Sequence, residues 1–216
     1  MATMVEPAAA EHPRRSEAKR QAILRAALTV FLREGFAGAS VDEVAATAGV
    51  GKQTVYSHFG DKEQLFLAAA RESQSRLQVG PESWESPLPY SGDIRSDLSA
   101  AGERILRTVL EPDAAALHRL TIAELIRHPE LQRLWRANVP HEVLRDIVDY
   151  LADRDRAGDL SVPEPQRAAR QFLLLLATEG RVASLHGAQP LAGTEYTRIA
   201  DETADLIVRA HHRCPD

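Results

Sequence analysis

The chain has 216 residues, a net charge of −5, and 44% hydrophobic against 26% charged residues. That balance excludes an intrinsically disordered chain and a protein that coats nucleic acid through bulk charge. Its one cysteine, Cys214, excludes an internal disulfide framework and fits a reducing cytoplasm.

Residues 1–15 hold Pro7 and Pro13 without an apolar core, so they read as a disordered arm rather than a secretory signal. A first helix is predicted from Ser16 as N-cap, with Ile23, Leu24, Ala27, Leu28 and Phe31 on one stripe. Gly35 suits its left-handed end. Ser40-Val41-Asp42-Glu43 has the S-x-x-E form of a capping box and opens a short second helix, which Ala48-Gly49-Val50-Gly51 ends. A third helix is predicted from Lys52 to Phe59. Asp61 with Gln64 opens a fourth, running to Gln78.

Between Gly80 and Asp93, 8 of 14 residues are Gly, Pro or Ser, which predicts a loop. Helical patterns resume over 94–110, 114–127, 130–137, 141–156, 166–185 and 195–211. No strand-like alternation and no internal repeat interrupts them, and helix formers dominate the composition. The chain reads as all-α with about nine helices. The expected division is an arm (1–15), a helix-turn-helix domain (16–62), a helical domain (63–212) and a tail (213–216). The longest apolar run, Phe172 to Ala177, is far short of the roughly 20 residues that span a bilayer, so a soluble, cytoplasmic protein with no membrane partner is expected.

Charge is uneven along the chain: residues 1–78 carry net +1 and the remainder net −6. Within that first part, two short helices joined by a glycine turn over Ser40–Phe59 form a helix-turn-helix pattern, whose second helix enters the major groove. Phe31, Phe36, Val41, Val44, Ala45, Ala48, Val50 and Val55 would build its core. Lys52, Gln53, Thr54, Tyr56, Ser57 and His58 are left for the outer face of the third helix. Gln53 can pair with adenine, Lys52 with guanine, and the Thr54 methyl can meet a thymine methyl. Gly51-Lys52 is not a phosphate loop, since Ala46 stands at the first glycine position and Gln53 replaces Ser/Thr.

The run Ala48-Gly49-Val50-Gly51-Lys52-Gln53-Thr54-Val55-Tyr56-Ser57-His58-Phe59, followed by Asp61-Lys62-Glu63-Gln64-Leu65-Phe66, resembles the TetR family of bacterial regulators over residues 19–68. The resemblance implies that Tyr56, His58 and Lys62 hold backbone phosphates, that Ser40 caps the second helix at the DNA, and that Lys52, Gln53 and Thr54 face the groove. Many members carry Ser or Thr where this chain has Gly51, which puts a phosphate contact there in doubt. Farther on, Leu120–Leu131 with Trp135, Ala157-Gly158-Asp159-Leu160 and Ala169–Phe172 resemble the AefR-type C-terminal domain. By that resemblance His118, Ile122, Leu125, Trp135, Val139 and Tyr150 lie on helices that wall the family's ligand cavity.

The penultimate helix is apolar around most of its circumference, which suggests a second buried surface. Phe172, Leu173 and Leu176, with Leu206 and Ile207 of the last helix, are the expected homodimer contacts. A neutral or apolar effector is favoured, because no dense charge cluster marks an ionic site along the sequence. His141-Glu142 is followed by Arg145 where a second metal-binding His would stand, and no metal or cofactor is expected. With no G-x-S-x-G, H-E-x-x-H or Cys-x-x-Cys, the chain is not expected to be an enzyme. The resulting expectation is a homodimeric repressor that binds a double-stranded palindromic operator and is released by a small effector. An activator, or a ligand-independent DNA-binding regulator, with the same head is the alternative.

Overall fold

The computed structural model describes residues 11–77, 86–128 and 141–213. Among them are nine helices and no strand beyond one isolated bridge between Leu160 and His212, so the architecture is all-α. The described residues form two compact units. One holds the chain up to Arg76 together with Glu124–His128, and the other holds the remainder.

In the first unit, α1 (Glu11–Gly38) starts five residues before the predicted cap, so Ser16 lies inside the helix. Pro13 falls in the first turn, where a missing N–H costs no hydrogen bond. At Gly35 the backbone turns to φ 69, ψ 173 and bends the helix. The helices α2 (Val41–Ala48), α3 (Lys52–Phe59) and α4 (Lys62–Leu77) follow as predicted. Ile23, Leu24, Ala27, Val30 and Phe31 of α1 bury against Val41, Val44, Val55, Leu65 and Phe66. The rings of Phe31 and Phe66 meet edge to face at 5.1 Å, and Phe36 lies 5.2 Å from Phe66. Burying each such side chain stabilises the unit by ~1.5–3 kcal/mol.

Glu124–His128 adds to this unit from far along the sequence. The His128 ring stands edge-on to Phe36 at 4.8 Å. Its Nδ1 is 2.7 Å from Glu63 Oε1, and its Nε2 is 3.7 Å from Glu124 Oε2.

The second unit contains α5 (Ile94–Val109), α6 (Pro112–Glu124), α7 (His141–Ala157), α8 (Pro165–Ala183) and α9 (Gly193–Ala210). Helix α5 packs on α8 and α9, and α8 on α7 and α9. Leu98, Ala101, Leu106, Ile147, Leu151, Phe172, Leu176, Ile199 and Ala204 fill the core. The predicted short helix at 130–137 lies outside the described residues. Near the end of the chain, Ser161 N donates to His211 O at 2.8 Å, fastening the last residues to the turn after α7. Among the described residues no helix is long and apolar enough to cross a membrane.

Four of the five expected dimer contacts prove to be core residues of a single chain. Phe172, Leu173, Leu176 and Ile207 are at most 4% exposed, leaving a second chain almost nothing to touch. The wide apolar band on α8 does have two faces, but the expectation picked the inward one. The outward residues are Leu174, Leu175 and Val182, joined on α9 by Leu206 at 52% exposure.

Candidate nucleic-acid interface

The frame of the head is set by its caps. Ser40 Oγ accepts from Glu43 N at 3.1 Å, opening α2. The reciprocal half of the predicted capping box is not made with Ser40, because the Glu43 carboxylate pairs with Arg33 on α1. That pair links α1 to α2. Gly49, at φ 68 and ψ 34, donates its N–H to Ala45 O and Ala46 O, a left-handed cap that a β-carbon would strain. Thr54 N then bonds Gly51 O at 2.9 Å to start α3, with no side-chain cap at Gly51. On α4, Asp61 Oδ1 accepts from Gln64 N at 2.8 Å.

These caps leave one face of α3 turned outward. Val55 is buried beneath it, while Lys52, Gln53, Tyr56 and Ser57 are exposed and Thr54 and His58 half-buried. Gln53 makes no side-chain hydrogen bond to the described residues, so both its amide groups can meet a base edge. Lys52 Nζ sits 2.8 Å from Asp42 Oδ2 and 6.0 Å from the Tyr56 ring. The hydrogen bond and the charge of Asp42 raise the Lys52 ammonium above its usual value. Ser57 Oγ donates to Thr54 O at 2.8 Å, keeping its lone pairs outward. Lys62 Nζ donates to Ala37 O at 3.2 Å and lies 4.9 Å from the Phe36 ring. Ser40, Lys52, Gln53, Thr54, Tyr56, Ser57, His58 and Lys62 therefore all lie in the first unit, on or beside α2 to α4. Sequence reasoning missed Asp42 and Arg33. Their spacing of about ten residues from Lys52 and Glu43 carries no helical signature.

The expected ligand residues are less uniform. Trp135 and Val139 lie outside the described residues. Ile122 is exposed on α6, and Leu125 belongs to the segment counted with the head. Tyr150 is wholly buried on α7, and its hydroxyl donates to Asp97 Oδ2 at 2.7 Å. Burial, with the Asp97 carboxylate as acceptor, pushes its phenol far above the usual range. Asp97 also accepts from Ser91 N at 2.8 Å and Ser91 Oγ at 2.7 Å. Burial alone would raise that carboxyl, but the bonds from Ser91, Tyr150 and Gly92 hold it below the ordinary value. Asp97 thus ties Ser91 to α5 and, through the Tyr150 hydroxyl, to α7.

His118 is buried on α6, and its ring stacks on His186 at 6.1 Å. Burial, with the positive charges of Arg181, His186 and Arg119, lowers its imidazole to about 4, so it is neutral at physiological pH. Four nitrogen-bearing side chains from two distant stretches thereby come together, a cluster the sequence order conceals.

Residues 23–69 match the family described as bacterial regulatory proteins, tetR family, and residues 96–213 match the AefR-like transcriptional repressor C-terminal domain. The chain is 43% identical over 151 residues to the HTH-type transcriptional repressor AcnR of Corynebacterium efficiens, covering 62% of this chain and 78% of that one. It is similar in fold to a TetR-family transcriptional regulator from Mesorhizobium loti, with a TM-score of 0.79 and 27% identity over 92% of this chain and 99% of the other. The flavonoid-responsive regulator FrrA aligns with a TM-score of 0.69 and 26% identity over 91% and 98% of the two chains. These proteins are transcriptional regulators rather than enzymes. An outward polar face on a helix-turn-helix frame and matches over both units lead to one assignment: the chain belongs to the TetR family of DNA-binding transcriptional regulators, with a C-terminal domain of the AefR-like kind.

Proposed function

We propose that this regulator is a homodimeric repressor that occupies a palindromic operator and leaves it when a small effector binds. The observation that carries the reading is the outward face of α3, with Gln53 unengaged and Lys52 steadied by Asp42 on a wholly apolar frame. Gln53 and Lys52 read base edges, the Thr54 methyl meets thymine, and Tyr56, Ser57, His58 and Lys62 hold phosphates. Ser40 fixes the start of α2 beside them. Repression is favoured by the repressor name of AcnR, and effector response by the flavonoid response in the name of FrrA.

Dimerisation is supported by the outward leucines and valine of α8 and α9. Leu175 and Val182, seven residues apart, share one stripe of α8, and Leu174 and Leu206 widen the exposed apolar surface. A two-fold pair of chains matches an operator whose half-sites lie about one DNA turn apart, ~34 Å. Effector action has a covalent route to the head. Helix α6 ends at Glu124, and the next residues, through His128, pack on Phe36 and Glu63.

The test begins with selection of the operator from random duplex DNA by the full chain, followed by gel-shift titration of variants. Lys52→Ala or Gln53→Ala should relax the sequence preference. Lys62→Ala should weaken binding to every sequence and make its salt dependence shallower by about one unit. Wild-type operator binding in all three variants would remove this face as the reader. A Leu175→Asp, Leu206→Asp double variant should sediment as a monomer, and a dimer unchanged by it would refute this interface.

A further inference from the structure

Arg181, on the last turn of α8, has no ion pair among the described residues, and its Nε is buried without an acceptor. Burial lowers the guanidinium from its ordinary value, and no carboxylate among the described residues opposes the effect. A guanidinium remains charged at any physiological pH, and a buried charge without a counter-ion is costly. The cluster is centred on buried His118, which the charges of Arg181, His186 and Arg119 all reach. His118 and Arg119 come from α6, and His186 from the turn after α8. Arg119 Nη1 donates to His186 O at 2.8 Å, which leaves its remaining N–H groups for another acceptor.

The turn that carries His186 is built rather than loose. Gly187 N donates to Ser184 Oγ at 2.8 Å, and Gln189 N to Ser184 O at 2.9 Å. Gly187 has φ 77 and approaches α6 so closely that a β-carbon there would lie 2.3 Å from the Ala115 β-carbon. Leu185 and His186 both hold positive φ, 48 and 56, a conformation costly for non-glycine residues and found where the surroundings impose it. Two left-handed residues in succession, a close glycine contact and a half-buried cation whose Nε has no acceptor thus coincide at one place.

We propose that Arg181, with His118 and Arg119, binds the carboxylate of a small organic anion, which is the effector. Arg181 supplies the two parallel N–H donors that fit a carboxylate, the His118 ring a buried, neutral wall beside them, and Arg119 a second charge at the rim. The expectation of a neutral or apolar effector rested on the lack of a charge cluster along the sequence. Folding creates one from residues 118–119 and 181–186. The inference rests on the effector-released reading, and it adds the chemical class and the groups that recognise it.

The test uses the full chain and matched probes at fixed ionic strength: acetate, succinate and benzoate against acetamide, succinamide and benzamide. At least one carboxylate should raise the melting temperature and release the selected operator, while its amide does neither. Arg181→Met should weaken that response about tenfold to a hundredfold, and Arg181→Lys, which keeps charge but loses the fork, by less. Without any probe, Arg181→Met should melt above the wild type, because a half-buried charge with an unpaired Nε is gone. A null result with all three carboxylates overturns the proposal, as does a carboxylate response that survives in Arg181→Met. Amides that release the operator independently of Arg181 would leave the effector reading standing and remove the anion site. Loss of the dimer in Arg181→Met on sedimentation would also overturn the proposal, assigning the guanidinium to a carboxylate of a second copy.

Discussion

The four helices of the head and the body bury different kinds of side chain; in the head, buried polar groups arrive only with the returning segment, as Glu124 and His128. In α1 to α4 every buried residue is apolar, from Ile23 through Ala70, and the polar groups stand outside. In the body, Asp97, His118, Thr121, Ser184 and Thr203 are buried among the leucines. A buried polar group needs a partner or it destabilises the fold, so the body is tuned by specific bonds and α1 to α4 by packing. The head can therefore vary its outer residues, and with them its DNA sequence, at little cost to the frame. The body cannot change its buried groups so freely, and the proposed anion site draws on that constrained set.

The largest expected effect follows from His118. Its imidazole is lowered to about 4 in the fold against about 6.5 unfolded. The unfolded chain therefore takes up the proton first, and stability present above pH 6.5 is lost as pH falls from there through 4. The loss is on the order of 2–3 kcal/mol. His118→Gln should flatten that part of a denaturant-midpoint profile, and an unchanged slope would show that the contrast in buried polarity has no thermodynamic weight at this position.

Tyr150→Phe comes next. It removes the hydroxyl that donates to buried Asp97 and should cost ~1–3 kcal/mol by urea unfolding. The Asp97 carboxyl, held low in the fold, contributes stability above the ordinary carboxylate range and loses it as pH falls further. The variant should show a smaller acid loss there. A cost near zero would place Tyr150 back among residues free for other roles. Smallest is the head's own polar contact: Ser40→Ala removes the cap of α2 and should cost ~1 kcal/mol. A cost above that of Tyr150→Phe would reverse the comparison.

Much of the head was legible in the sequence because its signals are local. Ser40, Gly49, Gly60 and Asp61 mark helix ends through the backbone chemistry of each position, and the apolar spacing of Ile23, Leu24, Ala27 and Phe31 marks one face. What escaped notice there were contacts across helices, such as Asp42 with Lys52 and Arg33 with Glu43. In the body the helices were legible and their faces were not. A helix buried on two sides carries apolar residues all round, so sequence could not say that Leu176 turns inward and Leu175 outward. Tyr150 read as a cavity residue by family resemblance, and its bond to Asp97, 53 positions away, left no signal in the sequence. The Arg181 cluster is assembled from two stretches that periodicity treats as unrelated.

The return of the chain to the head has a consequence for modularity. Phe36, Phe66 and Glu63 are finished by His128, a residue more than fifty positions beyond the end of α4. A fragment cut after α4 would leave an aromatic edge bare and a carboxylate without its imidazole. Heads transplanted between relatives should keep their solubility and fold only if the donor's Glu124–His128 segment travels with them. The boundary between head and body is therefore not a point in the sequence, and recombination at a single crossover would break it.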